Sequence, residues 1–320
     1  MKDLPINHYL GRASRIGYGC MALGDVSRGS QSELIQQASA VTDACLESGI
    51  NFFDHADIYN AGNAESVFGA VLRDRPQLRD SIFLQSKCGI RFKDAHGPNR
   101  YDFSREWISQ SVDGILSRLS TEYLDVLLLH RPDPLAEMEA VAETLHQLHA
   151  AGKVRYFGVS NMSAAQINFL RDHLEVPLIA NQIHISLSER DWIEHSIMVG
   201  DSSNSDINFA DGTLEYCQRL GVQIQSWGSL SRGLYTREDD SQDPEVRATR
   251  ELVRQLQDRY ECSPEAIVLS FLPRHPANVQ PIIGTTNVER IRNSSEAMNL
   301  ELSRGDWYQL LETARGRPVP

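Results

Sequence analysis

Short apolar runs recur along the chain, and most of them end abruptly in a residue that can do chemistry. Phe52-Phe53 meets Asp54, Ile82-Phe83-Leu84 leads to Lys87, and residues 126–129 lead to His130. Residues 154–159 run into Ser160-Asn161, residues 178–180 into Asn181-Gln182, residues 222–224 into Gln225-Ser226-Trp227, and residues 281–283 into Gly284-Thr285-Thr286. With the weakest segment, 14–19, they make eight candidate strands. Between them the pattern predicts helices over 32–47 (with Ser32 as its cap), 64–73, 104–119, 135–151, 164–174, 212–220, 244–260 and 264–274, then a final pair over 288–297 and 304–315. Strands alternating with helices of about 10–15 residues imply βαβ units and a parallel sheet. Eight such units most simply close into an α/β (β/α)8 TIM barrel. Polar groups stacked at one end of successive parallel strands are then what an active-site mouth looks like.

An open, doubly wound sheet is the main competitor. Gly17-Tyr18-Gly19-Cys20-Met21-Ala22 fits G-x-G-x-x-A after a strand, but no helix starts promptly behind it. No strand ending in Asp or Glu follows about 20 residues later, where the ribose-binding acid belongs. Three long polar connections, 96–101, 185–211 and 233–243, fall on the strand C-terminal side, where loops of that kind serve as lids or binding loops. Within them 202–206 has surface decoration as its plainer, lesser alternative.

Composition narrows the classes. A chain of 320 residues with 41% hydrophobic and 23% charged positions is an ordinary globular protein, read here as one barrel domain over residues 1–320. A formal net charge of −12 argues against nucleic acid or an anionic membrane as partner, though not against an anionic cofactor in a local basic pocket. Five cysteines without framework or metal-ligand spacing suggest reduced thiols. The N-terminus lacks a signal-like apolar stretch, and no run approaches the ~18 apolar residues of a membrane span. The expectation is a cytoplasmic protein of open oligomeric state.

Asp54, Lys87 and His130 close consecutive predicted strands, and Tyr59 lies on the loop just past Asp54. In a barrel these four converge, and together they suit carbonyl reduction. A carbonyl accepting hydride develops negative charge on oxygen, which needs a proton donor and a polar clamp. A phenol has the proton, but its ordinary pKa of ~10 makes it a weak acid. A neighbouring ammonium is expected to lower that pKa, a carboxylate to hold the ammonium charged, and a neutral imidazole to orient the carbonyl. Singly, each has a plainer role as cap, solvated charge, packing group or turn.

The stretches Phe53-Asp54-His55-Ala56-Asp57-Ile58-Tyr59, Ser86-Lys87-Cys88-Gly89, Leu128-Leu129-His130-Arg131-Pro132-Asp133-Pro134 and Gly158-Val159-Ser160-Asn161 resemble the aldo/keto reductases, (β/α)8-barrel oxidoreductases that use a nicotinamide cofactor without a Rossmann domain. The resemblance implies Tyr59 as general acid, Lys87 and Asp54 as its tuners, and His130 as the group orienting a small-molecule carbonyl substrate. It implies Ser160, Asn161 and Gln182 at the nicotinamide carboxamide and Trp227 stacked on the ring. Gly228, Ser229, Leu230 and Arg232 continue that cofactor-binding strand end. Gly284, Thr285 and Thr286 would meet the adenosine end, Asn293 the adenine, and Arg290 a 2′-phosphate, favouring NADP(H). Tyr18, Met21, Ile58, Phe92 and the 185–211 loop are candidate substrate-pocket walls.

Some positions depart from the family pattern. His55 stands where Thr is common, Gly228-Ser229 where Ser-Pro is usual, and Gly284 where several members carry a phosphate-binding Lys. Two rival functions remain: a metal-dependent barrel hydrolase using His55, Asp57, His130 and His184, and a regulatory subunit that binds the cofactor and reports redox state.

Overall fold

The computed structural model describes residues 3–201, 206–237 and 241–320. Eight parallel strands close into a barrel in chain order, the last pairing with the first. They are β1 (Gly17–Gly19), β2 (Phe52–Asp54), β3 (Phe83–Cys88), β4 (Leu124–Leu129), β5 (Val154–Ser160), β6 (Leu178–His184), β7 (Gln223–Trp227) and β8 (Gln280–Ile283). Around them run α1 (Gln31–Glu47), α2 (Asn63–Asp74), α3 (Arg105–Leu119), α4 (Met138–Ala150), α5 (Ala164–Arg171), α6 (Asp191–Ile197), α7 (Thr213–Leu220), α8 (Pro244–Tyr260), α9 (Pro264–Ser270), α10 (Val288–Ser295) and α11 (Arg304–Arg315). This is the TIM barrel expected from the alternation of runs, with α11 as the extra C-terminal helix.

The closed sheet excludes the doubly wound alternative, and the glycines that suggested it have another cause. A Cβ on Gly17 would sit 2.6 Å from Ile282 Cδ1, and one on Gly19 would sit 3.0 Å from Ile282 Cγ2. β1 therefore needs glycine to let the β8 side chain into the barrel, not to admit a phosphate.

Local chemistry fixes the helix starts. α1 is capped by Ser30 rather than Ser32: its hydroxyl accepts from the Glu33 N–H while the Glu33 carboxylate accepts from the Ser30 N–H, a reciprocal capping box. α4 begins at Met138, later than expected, because Asp133 Oδ1 accepts from the Leu135 N–H and holds the preceding residues in a turn. The long connections carry more structure than their polarity suggested. Ile90–Arg91 pairs antiparallel with Arg100–Tyr101, α6 lies within the 185–211 connection, and Ser231–Gly233 forms a tight turn after β7. Residues 202–205 of the second connection and 238–240 of the third lie outside the described residues.

Strand alternation sorts side chains between two cores. Tyr18 and Phe53, paired across β1 and β2, point outward; Phe53 packs against Phe68 of α2 with ring centroids 5.0 Å apart. Phe52 instead joins Val126, Leu128, Ala180 and the N-terminal residues Leu4, Ile6 and Ala13 in a second apolar cluster inside the barrel. That cluster seals the lower end, leaving the upper end to the polar residues. α11 is held by Trp307, which stacks on Phe271 and donates from Nε1 to the Phe271 carbonyl at 2.9 Å. The five cysteines form no disulfide. Among the described residues no helix is long and apolar enough to cross a membrane.

Candidate active site

The inward positions at the C-terminal ends of β2 and β3 bring Asp54 and Lys87 together. Lys87 Nζ donates to Asp54 Oδ1 and Oδ2 at 2.8 and 2.7 Å, to the His55 carbonyl at 2.9 Å and to Tyr59 Oη at 3.1 Å. Lys87 is fully buried. Tyr59 reaches it because the chain after β2 turns back sharply, with Asn60 and Ala61 both in the left-handed region. Asn60 Nδ2 pins that turn by donating to the Met21 and Leu23 carbonyls at 3.0 and 2.6 Å. His130 completes the group, its ring edge-on to Tyr59 at 6.3 Å.

Electrostatics assign each group a resting charge. Burial pulls the Lys87 ammonium down, but Asp54 first and then Tyr59 outweigh it and raise the ammonium above its ordinary range. Tyr59 is raised as well: burial is the largest cause and outweighs the downward pull of Lys87, and Asp54 adds to the rise. Lys87 does pull the phenol down, as the sequence led us to expect, but burial turns the net shift upward. The phenol keeps its proton at neutral pH, which is the state a proton donor needs. His130 falls to about 3, mainly through burial and then through Lys87 and Arg131, so its imidazole is neutral at pH 7.

Beneath the mouth lies a layer of amides. Gln85 Nε2 donates to Asp54 Oδ1 at 2.6 Å and to Gln225 Oε1 at 2.8 Å; Gln182 Nε2 reaches the same two acceptors at 3.1 Å each. Gln225 passes the chain on to Gln280, and Gln280 to the Ser14 carbonyl. These glutamines hold the buried carboxylate in place. Gln85 and Gln280 were not singled out in the sequence, and Gln225 was named only as a strand-end residue, although Gln85 lies two residues before Lys87 and Gln225 two before Trp227. The period of two along a strand was the signal that could have found them.

The same layer joins the tetrad to the predicted cofactor residues. Ser160 Oγ donates to the Gln182 carbonyl at 2.9 Å, Asn161 Nδ2 to Ser160 Oγ at 2.7 Å, and Trp227 Nε1 to Asn161 Oδ1 at 3.1 Å. Asn161 takes a left-handed backbone at φ 56°, which Asn tolerates. His184 stacks on Trp227 with centroids 3.8 Å apart and planes 9° from parallel, occupying one face of the indole. Gly228, at φ +71°, makes room for it: a Cβ there would lie 2.9 Å from His184 Nε2. The Ser229 hydroxyl is turned into the wall, donating to the Ser226 and Ile282 carbonyls, so only its backbone faces outward chemistry. Leu230 is partly buried against the core, and Arg232 is exposed.

At the end of β8, Gly284 is exposed and Thr285 and Thr286 are half-buried at the start of α10, which Asn287 caps by accepting from the Arg290 N–H. Arg290 is exposed and Asn293 half-buried one turn further on. Met21 and Phe92 are exposed near the mouth and Ile58 is half-buried. Tyr18 is not a pocket residue. Its position on β1 turns it outward under the helices, where it is fully buried beside Phe53.

The hydrolase alternative loses its ligand set. Among the described residues no three His, Cys, Asp or Glu side chains are grouped to hold a metal ion. His55 instead sits edge-on to Phe68 at 4.8 Å. Asp57 faces Glu65, Ser111 and Arg118 behind the tetrad, and burial, then Glu65, lift it to about 7. Because this folded value exceeds the unfolded one, the Asp57 contribution to native stability should fall as pH rises from about 4 to 7. Asp57→Asn should remove that loss, leaving the variant more stable relative to the parent at pH 8 than at pH 5 by at least ~1 kcal/mol. Thermal unfolding at the two pH values checks it; an equal difference at both would remove Asp57 from the pH response.

A closed barrel with a polar mouth at its strand C-terminal end defines a broad class of enzymes. Within that class the chain belongs to the aldo/keto reductase family, whose model matches residues 15–314. It is 34% identical over 311 residues to the uncharacterized oxidoreductase YcsN of Bacillus subtilis, covering 96% of each chain. It is 33% identical over 316 residues to a 6-dehydroglucose reductase of Agrobacterium fabrum, again covering 96% of each. Among solved structures, the thermostable aldo-keto reductase Tm1743 in complex with epalrestat superposes with a TM-score of 0.75 at 23% identity, covering 98% of both chains. An aldo/keto reductase of Klebsiella pneumoniae in complex with NADP and acetate gives 0.71 at 23% identity, covering 96% of this chain and 93% of that one.

Proposed function

We propose that this chain is an NADP(H)-dependent oxidoreductase that reduces aldehydes or ketones to alcohols, with Tyr59 as general acid and residues 1–320 acting as one unit. The observation that carries the reading is the unbroken line of contacts from Tyr59 through Lys87, Asp54 and Gln182 to the Ser160–Asn161–Trp227 cluster. Family membership and the oxidoreductase relatives support carbonyl reduction. The nicotinamide nucleotide in the Klebsiella pneumoniae structure supports the choice of cofactor.

The residues fit such a cofactor. Gln182 Nε2 is committed to Asp54 and Gln225, which leaves Oε1 to accept from a carboxamide, while Asn161 and Ser160 offer further polar atoms beside it. The Trp227 face opposite His184 would take the nicotinamide ring, and the N-terminal turn of α10 with Arg290 would take the adenosine phosphate. When bound, the reduced nicotinamide supplies the hydride that goes to the carbonyl carbon.

The chain's own groups manage the oxygen. Neutral His130 orients it, and Tyr59 gives it a proton as negative charge develops. Lys87 then stabilises the phenolate left behind, and Asp54 holds Lys87 charged and in place. Met21, Ile58 and Phe92 would form apolar walls for the rest of the substrate.

Fluorescence titration with NADPH and NADH, followed by a small aldehyde panel, tests the whole reading; absence of nucleotide binding would sink it. Arg290→Ala should weaken NADPH binding about tenfold or more, the scale of a lost charge-assisted pair, while NADH binding changes far less. Equal losses for both nucleotides would remove the 2′-phosphate role.

A further inference from the structure

Arg131 follows His130 directly, at the C-terminal edge of β4. Its guanidinium carbon lies 5.9 Å from the centre of the Trp227 ring, on β7. The side chain thus reaches from the end of β4 toward the end of β7, on the rim that also carries His130. It is close enough to His130 and to His184 to depress the protonation of both.

This guanidinium differs from the others. Every other arginine of the described residues that is half-buried or buried donates at least one hydrogen bond within the protein. Arg79 reaches Asp125, Arg118 reaches Glu65 and Arg315 reaches Glu194, for example. Arg15, Arg75, Arg91, Arg100, Arg190, Arg250 and Arg274 likewise have partners. Arg131 is half-buried, yet among the described residues it makes no ion pair and donates no hydrogen bond.

The acid nearest in sequence cannot serve it. Asp133 accepts from the Phe103 N–H through Oδ2 and from the Leu135 N–H through Oδ1, both at 2.9 Å. A half-buried guanidinium that donates no hydrogen bond and pairs with no acid among the described residues retains most of its capacity for an anion, and its planar fork matches a carboxylate.

We infer that Arg131 selects the substrate: the carbonyl compounds this chain reduces carry a carboxylate, which Arg131 binds across the mouth from the reacting carbon. This rests on the carbonyl-reductase reading above and adds the substrate's second functional group. His130 fixes the carbonyl end and Arg131 the charged end, and the one-residue spacing between them makes a two-point grip from a single strand terminus.

Two matched pairs of probes test it, with NADPH supplied for turnover and NADP for binding. In turnover, 4-carboxybenzaldehyde should have a kcat/KM at least about tenfold above that of benzaldehyde, the scale of one charge-assisted bidentate contact, with the difference mostly in KM. Arg131→Met should collapse the ratio toward one, and Arg131→Lys, which keeps the charge without the fork, should hold part of it. In calorimetry, benzoate should bind more tightly than benzamide, and Arg131→Met should abolish the preference. The binding arm needs no turnover, so a protein that reduces neither aldehyde but still selects benzoate through Arg131 keeps this inference and loses the catalytic one. Two results overturn the inference. One is an Arg131→Met variant that loses both members of each pair equally. The other is a variant that instead loses NADPH affinity, which would assign the guanidinium to the nucleotide.

Discussion

Tyr59→Phe should lower kcat for aldehyde reduction by roughly 10²–10⁴-fold, the usual worth of a positioned proton donor, while NADPH affinity stays close to that of the parent. The substitution removes only the hydroxyl that receives the Lys87 contact at 3.1 Å. Lys87 keeps both Asp54 oxygens and the His55 carbonyl, so the fold does not depend on the phenol and the ammonium retains its main counter-charge. The Ser160–Asn161–Trp227 cluster reaches the tetrad through Gln182 and Asp54, and no link in that path uses Tyr59. Stopped assays of NADPH consumption and fluorescence titration measure the two quantities separately. Turnover at the parent rate would end the general-acid assignment.

The second large effect is on stability. Lys87 and Asp54 are a buried ion pair, with side-chain exposures of 0% and 3%. Removing one partner leaves an uncompensated charge in the barrel, so Lys87→Met alone should cost about 3–5 kcal/mol in urea unfolding. Asp54→Asn alone should cost a similar amount, since it strands the ammonium and leaves Gln85 and Gln182 without their carboxylate acceptor. The double variant removes both charges and should recover much of the loss, so the two costs are strongly non-additive. Additive costs would mean that each charge is stabilised by the amide layer or by water rather than by its partner.

Much of the architecture was legible in the chain because parallel strands buried on both faces read as short apolar runs, and the last residue of each run is where a barrel places its chemistry. That is why Asp54, Lys87, His130, Ser160, Gln182 and Trp227 could be named from the sequence. Tyr18 went astray for a related reason. It is adjacent to mouth residues in sequence, but a strand sends successive side chains to opposite faces, and its face is the one covered by helices. Ser30 was passed over as the α1 cap because Ser32 also precedes the apolar positions, whereas only Ser30 has Glu three residues on.

The sign of the Tyr59 shift was out of reach for a different reason. A neighbouring ammonium is visible in a sequence, but the depth of burial that outweighs it appears only when the barrel closes. The amide layer was hidden likewise, since glutamine carries no charge and acquires significance only from facing three others across a barrel. Arg131 sat in plain view within the His130 motif, yet its want of a partner is a property of the folded surroundings.

The apolar floor formed by Leu4, Ile6, Phe52, Val126 and Leu128 has a kinetic corollary. With the lower end plugged, the barrel has a single doorway, so anything seated deepest must arrive first and depart last. For the proposed chemistry, a nucleotide lying beneath the carbonyl would enter before it and leave after the alcohol.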